Sequence, residues 1–214
     1  MSARLGNEAP GGTETRRRIV ETAERLFRQY GFQKTTVADI AAELSMSPAN
    51  VYRFFASKSE INEAVASLLT GEVEAIARAA ATTPGLPAPE RLALFVHETY
   101  RATVQRYMAD KRMHAMVHAA IEESWDVISA HKMRMDEILV DLVRDGASKG
   151  EFVLAGDVET AARCVRMAVV VACHPQLIEH CMRGQENIEL MIDPLVDFCC
   201  RALGSKAVAR RATS

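Results

Sequence analysis

The chain has 214 residues, of which 49% are hydrophobic and 25% are charged, and its formal net charge is −2. This composition supplies a sizeable apolar core and excludes a disordered or fibrous protein. The charge of the whole chain gives no sign of nucleic-acid binding. Residues 1–60, however, hold nine basic against seven acidic side chains, an excess of the sign that phosphate contact requires.

A flexible arm is predicted over residues 1–14, which are rich in glycine. From Arg16 onward the apolar residues follow a helical spacing. One face of this first helix would carry Ile19, Ala23, Leu26, Phe27 and Tyr30. Gly31 suits the left-handed position that closes such a helix.

Two short helices joined by a tight turn are predicted to follow. Thr36 is placed to cap the first of them, and Ser47 caps the second, with Pro48 at its first helical position. The second helix directs its apolar residues inward: Val51, Phe54 and Phe55. Its outward face is then formed by Ser47, Pro48, Ala49, Asn50, Tyr52 and Arg53.

Most of the remaining sequence is predicted to be helical. A long helix spans about residues 58–81, a loop spans 82–89, and further helices are expected at about 89–109, 111–119, 123–149, 157–180 and 187–203. The sequence therefore predicts an all-α fold. It comprises an N-terminal three-helix helix-turn-helix domain over 15–60, a C-terminal helical ligand-binding and dimerisation domain over 61–204, and a tail over 205–214.

A helix-turn-helix unit binds DNA when its second helix offers a small polar face to the major groove. The small side chain of Ala49 allows close approach, and Asn50 and Arg53 carry donors and acceptors for base edges or phosphates. Tyr52 and Lys58 are suited to phosphate contact. A helical hairpin inside an ordinary bundle has the same periodicity, so the pattern alone leaves both interpretations open.

The segment over residues 31–61, GFQKTTVADIAAELSMSPANVYRFFASKSEI, closely resembles the N-terminal DNA-binding domain of the tetracycline-repressor (TetR) family of bacterial regulators. The resemblance covers about residues 15–65. The positions that match the family pattern are Gly31, Thr35, Thr36, Val37, Ile40, Ala41, Ser47, Val51, Tyr52, Phe54, Phe55, Ser57 and Lys58. Ala49 and Met46 depart from it, since glycine and valine are common there.

The resemblance implies a homodimeric repressor that binds a pseudo-palindromic double-stranded DNA operator and is released by a small-molecule effector of unknown identity. The subunits would pair through the last helices, about residues 157–203. The DNA-binding residues would be Thr35, Thr36, Val37, Ser47, Pro48, Ala49, Asn50, Tyr52, Arg53 and Lys58.

An effector pocket is predicted in the C-terminal body, lined by Tyr100, Met116, Trp125, Met167 and His174. Methionine suits adaptable apolar pockets, although it fills ordinary cores as readily. His114 and His118 have the spacing of helical metal ligands, but exposed histidines and histidines satisfied in the core have the same spacing. No metal site and no cofactor are therefore predicted.

Two other classes of protein compete with a regulator: a helical scaffold that senses no ligand, and a helical metal-binding enzyme. The enzyme is disfavoured because the sequence lacks paired Glu-x-x-His segments, a glycine-rich phosphate loop and a nucleophile elbow. The sequence has no basic-then-apolar leader, no Cys-x-x-Cys pair and no apolar run of the ~18 residues that span a bilayer. We expect a cytoplasmic, nucleoid-associated bacterial protein with no membrane segment.

Overall fold

The computed structural model describes residues 10–108, 110–123, 125–185 and 187–205. These residues form ten α-helices and no β-strand. In chain order the helices are α1 Pro10–Tyr30, α2 Val37–Glu43, α3 Pro48–Val51, α4 Lys58–Ala81, α5 Ala88–Thr103, α6 Lys111–Glu122, α7 Asp126–Ser148, α8 Val158–Val169, α9 Pro175–Arg183 and α10 Ile188–Ala202. A π-helical turn, Val104–Met108, extends α5, and a 3-10 turn, Val170–Ala172, follows α8.

Local sequence accounts for the sharp boundaries at the N-terminal end. The carbonyl of Phe27 accepts from the Gly31 N–H at 2.8 Å, and Gly31 has a φ of +91°, which only glycine adopts without strain. Ser57 caps α4 by accepting from the Glu60 N–H at 3.2 Å. The predicted all-α fold and the predicted bounds of α4 are confirmed.

The arm and the tail predicted at the ends of the chain lie largely outside the described residues, which exclude 1–9 and 206–214. Residues 10–14, predicted to belong to the arm, are instead the first residues of α1. The one described residue of the tail, Ser205, donates its N–H to the Cys200 carbonyl at 2.9 Å. The extended turn after α7 is held by the Val153 N–H, which donates to the Leu203 carbonyl at 2.9 Å.

The single helix predicted over 157–180 is wrong. The chain leaves the helix after α8, passes through the 3-10 turn and starts α9 at Pro175. Proline has no N–H to donate, and its ring disfavours the helical conformation for the preceding residue. His174 accordingly has an extended backbone, with φ −91° and ψ 122°. The apolar periodicity continues through this break, which is why spacing alone did not reveal it.

Two hydrophobic cores lie along α4. One joins α1, α2 and α3 with the first half of α4, with α6 and with the start of α7. The other joins the end of α4 with α5, α8, α10 and the rest of α7. Since α4 contributes to both, one continuous helix links the two cores.

No single helix among the described residues is long and apolar enough to cross a membrane. Two consecutive segments, Val158–Ala172 and Pro175–Arg183, reach that length and composition only together, and they are bent by 49° at their junction.

Candidate functional site

The exposed polar surface that the sequence predicts is formed by α3 and by the turn at residues 52–54, because the helix ends at Val51 and does not continue to Phe55 as the spacing had indicated. Ser47, Pro48, Ala49, Tyr52 and Arg53 are exposed, and Asn50 is half-buried. On the opposite side Val51 and Phe55 are fully buried in the N-terminal core. Ser47 accepts from the Asn50 N–H at 3.2 Å and so fixes where the helix begins. The opposition of a buried and an exposed side gives α3 a single orientation relative to α1 and α2.

Packing of Phe55 holds that orientation. The ring is 1% exposed, and the Arg16 guanidinium of α1 lies 4.3 Å from its centroid, within the range of a cation–π contact. Phe54, predicted to be equally buried, is only partly buried against the same core. Phe55 is therefore the main apolar anchor between α3 and α1.

The start of α2 carries a reciprocal cap. The Thr36 hydroxyl accepts from the Asp39 N–H at 3.2 Å, and the Asp39 carboxylate accepts from the Thr36 N–H at 2.8 Å. The backbone and side-chain hydrogen bonds from Thr36 lower the pKa of the Asp39 carboxyl. Lys58 lies beside this cap, and its ammonium donates to the Gln33 carbonyl at 3.0 Å. Burial lowers the pKa of the Lys58 ammonium.

Two predicted DNA-binding residues have side chains inside the domain. Thr35 is 1% exposed, and its hydroxyl donates to the Gly31 carbonyl at 3.0 Å; Val37 is 6% exposed. Thr35 and Val37 are the neighbours of Thr36 in the sequence. Their side chains point into the domain, whereas the Thr36 side chain at the start of α2 is exposed. Their side chains support the surface from beneath and are not on it.

A cavity of about 140 Å³ lies where α4, α5, α6, α7 and α8 meet the break before α9. Most of its lining is apolar: Val73, Phe95, Val117, Ile121, Ile128, Met135, Leu139, Val169, Val170 and Pro175. Polar or reactive groups come from Thr70, Thr99, Thr103, His131, Lys132, Arg166, Cys173 and His174. A mostly apolar lining with a few polar groups is typical of small-molecule sites.

The two histidines of the lining differ in their partners. The Nδ1 atom of His131 lies 2.7 Å from the Glu74 carboxylate, which also accepts from Arg134 at 2.5 Å. Because a carboxylate only accepts, His131 carries a proton on Nδ1. The Nδ1 atom of His174 is buried and has no hydrogen-bond partner among the described residues. Burial, as the largest cause, lowers the pKa of both imidazoles, so both are neutral at neutral pH.

Of the five predicted pocket residues, His174 lines the cavity and the other four do not. Met116 is fully buried in the N-terminal core, and Tyr100 packs against the C-terminal core. Trp125 precedes α7 and donates its indole N–H to Glu123 at 2.9 Å. Met167 is 64% exposed because α8 buries Ala162, Val165 and Val169 on its opposite side.

Sequence reasoning missed the polar residues of the cavity. Phe95, Thr99 and Thr103 recur every four residues on α5, and Ile128, Lys132 and Met135 follow a helical spacing on α7. A threonine or a lysine within an otherwise apolar stripe is the signal that would have marked them. Periodicity alone did not show that these stripes face one another.

Within the described ranges, no three His, Cys, Asp or Glu side chains converge in a way that would hold a metal ion. His114 and His118 each lie near a different carboxylate. His114 is 3.4 Å from Glu179 of α9, and His118 is 3.3 Å from Glu122 of its own helix.

Two family models match this chain. The model described as bacterial regulatory proteins, tetR family, matches residues 19–65. The model described as the tetracyclin repressor-like C-terminal domain matches residues 88–191. The matched segments together make up more than half of the chain. The chain belongs to the TetR family.

Relatives and solved structures agree with the TetR assignment. The HTH-type transcriptional regulator UidR of Escherichia coli K12 is 27% identical over 153 residues, which are 69% of this chain and 72% of UidR. SmeT, the repressor of the Stenotrophomonas maltophilia multidrug efflux pump SmeDEF, shares the fold with a TM-score of 0.64 and 18% identity, over 92% of this chain and 94% of SmeT. RolR in complex with resorcinol also has a TM-score of 0.64, with 15% identity, over 97% and 98% of the two chains.

TetR-family regulators bind operator DNA and small-molecule effectors, and they act as dimers. This TetR-family chain is therefore a ligand-responsive DNA-binding transcription regulator and not an enzyme. The family assignment removes the two competing interpretations, a non-sensing scaffold and a metal-binding enzyme.

Proposed function

We propose that this TetR-family regulator is a repressor that binds a pseudo-palindromic operator as a homodimer and is released when a small molecule occupies the cavity between α4 and α8. The observation that carries the proposal is the outward surface of α3 and of the turn that follows it, residues 52–54. This surface exposes Tyr52 and Arg53, and buried Val51 and Phe55 fix it from the other side. A rigid helix with a small polar face is what the major groove accepts.

Roles for the exposed residues follow from their chemistry. Asn50 and Arg53 are assigned to base edges, because amide and guanidinium groups form paired hydrogen bonds with purines. Tyr52, Lys58 and Thr36 are assigned to phosphates, for which a hydroxyl or an ammonium suffices. Ser47, Pro48 and Ala49 shape the start of the helix so that the backbone can approach the groove. Thr35 and Val37 contribute by packing, since their side chains are buried.

The dimer surface is assigned to α8 and α10, within the region expected from the sequence. Large apolar side chains are exposed there: Met167 at 64%, Leu190 at 72%, Met191 at 58% and Phe198 at 64%. Leu190, Pro194 and Phe198 follow one another along one stripe of α10. Several large apolar side chains exposed in one region indicate a protein interface. A two-fold pair would hold its two α3 helices about 34 Å apart, one turn of DNA.

Release of the operator is assigned to the helices that line the cavity and also pack in the N-terminal core. Thr70 and Val73 of α4, and Val117 and Ile121 of α6, line the cavity. Val73 and Val117 are also buried in the core that includes α1, α2 and α3. A ligand that displaces these walls changes the separation of the two α3 helices. To move operator occupancy from nearly full to nearly empty, it must favour the released state by about 5.5 kcal/mol.

The test uses the full-length protein and fragments of the genomic DNA of its source. We expect recovered fragments to share an imperfect palindrome with half-sites one helical turn apart, and the affinity to fall steeply with salt. Recovered operators also allow candidate effectors to be assayed by loss of the bound complex. A protein that binds no duplex at low salt would contradict the proposal. Because the partner is chromosomal DNA, we infer a cytoplasmic location at the nucleoid.

A further inference from the structure

The volume of the cavity limits the size of its ligand. This volume is about 140 Å³, and an apolar protein cavity of about 150 Å³ is known to admit one benzene molecule. A single six-membered ring with one small substituent therefore fits the cavity. A fused-ring system or a long acyl chain would require the walls to move apart.

The apolar part of the lining is suited to a ring. Phe95 of α5 is 1% exposed, and Leu139 of α7 and Val169 of α8 are equally buried. Removing a ring from water against these side chains is the main source of affinity that the cavity offers.

Besides Arg166 Nε, two buried polar atoms in the lining lack hydrogen-bond partners among the described residues. Thr99 is 1% exposed, and neither its hydroxyl nor the buried Nδ1 of His174 has a hydrogen-bond partner among the described residues. A buried polar group left without a partner destabilises the protein, because it has lost its hydrogen bonds to water. The neighbouring Thr103 hydroxyl differs, because it donates to the Cys173 carbonyl at 3.3 Å. A ligand that carries oxygen atoms would satisfy both orphaned atoms.

The charges around the cavity favour an anion. The Arg166 guanidinium lies 2.7 Å from the Asp136 carboxylate, and Arg134 is paired with Glu74. Lys132 also lines the cavity but is an exposed residue, and no ion pair joins its ammonium to another described residue. With His131 and His174 neutral, Lys132 leaves one uncompensated positive charge at the site.

We propose, on the basis of the function proposed above, that the effector is a compact organic acid with one aromatic or alicyclic ring and a carboxylate. The ring occupies the apolar space beside Phe95. The carboxylate accepts from the Thr99 hydroxyl and from His174 Nδ1, and it neutralises the Lys132 ammonium. Hydrogen bonds to charged groups contribute about twice as much as neutral ones, so the carboxylate dominates selectivity.

Three probes of nearly equal size test the inference on the full-length protein by calorimetry: benzoate, benzyl alcohol and benzylamine. We expect benzoate to bind roughly tenfold more tightly than benzyl alcohol, and benzylamine to bind most weakly. Benzyl alcohol binding as tightly as benzoate, or none of the three binding, would overturn the proposal. Operator binding without any probe is measured on the same sample. A protein that binds its operator but does not prefer benzoate refutes the ligand class alone, whereas one that binds no operator refutes the repressor function.

Two pairs of matched variants test where the carboxylate of the ligand binds. Thr99→Val removes a hydroxyl without a partner, so it should weaken benzoate binding roughly tenfold while leaving the thermal stability of the protein unchanged or raised. Thr103→Val is its control, since that hydroxyl is already hydrogen-bonded. Lys132→Gln should reduce the preference for benzoate over benzyl alcohol several-fold, and Lys111→Gln, on an exposed residue outside this cavity, should not. Equal effects of the two threonine variants, or of the two lysine variants, would contradict the assignment.

Discussion

Asp110 and Arg28 join the start of α6 to the end of α1. The Asp110 carboxylate lies 3.4 Å from the Arg28 guanidinium, and the same carboxylate caps α6 by accepting from the Arg112 N–H at 2.9 Å. Arg112 in turn donates to the Arg28 carbonyl at 3.0 Å. Since α6 also lines the cavity, these contacts connect a wall of the proposed effector site directly to the proposed DNA-binding unit.

Asp110→Ala should lower the free energy of unfolding by about 1–2 kcal/mol, because it removes both the cap and the ion pair. Asp110→Asn keeps an oxygen that can cap the helix, so it should cost less than about 1 kcal/mol. Denaturant unfolding monitored by circular dichroism measures both. Asp157 caps α8 in the same way and is the reference for the cap alone. An alanine variant at position 110 no less stable than the asparagine variant would show that the cap contributes nothing.

Arg53→Ala should weaken operator binding at least tenfold and leave the melting temperature unchanged, because Arg53 is exposed in the turn that follows α3. Phe55→Ala should instead lower the free energy of unfolding by about 3–5 kcal/mol, since it empties a fully buried ring site. Binding by gel shift and unfolding by calorimetry separate the two effects. Arg101→Ala, an exposed arginine of α5, is the control for lost charge. A melting temperature that fell equally in the Arg53 and Phe55 variants would contradict the orientation of α3.

Elements marked by caps could be predicted from the sequence, and elements defined by packing could not. Thr36, Ser47 and Ser57 each accept from an N–H three residues later, so these helix starts are local properties of the sequence. The cavity instead arises where five helices meet. Its polar residues lie within the apolar faces of separate helices. Tertiary packing determines how those faces are oriented relative to one another. Met167 illustrates the difficulty, since its composition suits a pocket but the helical phase of α8 exposes it.

Phe198→Asp should convert the protein into a folded monomer, because it places a charge in the exposed stripe of α10 that is proposed to pair with a second subunit. Loss of the two-fold pair removes one half-site contact, so operator affinity should fall by far more than tenfold. Light scattering measures the mass, and gel shift measures the affinity. Met133→Asp, at an equally exposed methionine of α7, should remain dimeric. A Phe198→Asp variant that stayed dimeric would place the interface elsewhere.

The free energy of unfolding should fall as the pH is lowered from 7 through the ordinary histidine pKa of 6.5. Burial keeps the pKa values of His131 and His174 below that value in the folded state, so the unfolded chain takes up protons first. The contribution of the two neutral histidines to the free energy of unfolding is fully present above pH 6.5. It decreases as the pH falls below 6.5, and it stops decreasing once the pH is below the folded-state pKa values as well. His174→Gln should flatten this dependence, and His180→Gln, on an exposed residue of α9, should not. Unfolding curves at several pH values measure this dependence. If the free energy of unfolding of His174→Gln changed with pH as steeply as that of the unaltered protein, the role assigned to His174 would be contradicted.

Two helical glycines should respond in opposite ways to alanine. At Gly146 of α7 an added Cβ would lie 2.5 Å from the Phe152 ring and 2.6 Å from the Ala88 Cβ, so Gly146→Ala should lower the free energy of unfolding by about 1–3 kcal/mol. At Gly71 of α4 nothing lies within 4 Å of an added Cβ. Gly71→Ala should therefore raise the free energy of unfolding by up to about 1 kcal/mol, because alanine loses less backbone entropy in a helix. Thermal unfolding of both variants tests the pair. A stabilised Gly146→Ala would mean that the loop carrying Phe152 can move away from α7 at little cost, and that α7 is less firmly packed against it than these distances imply.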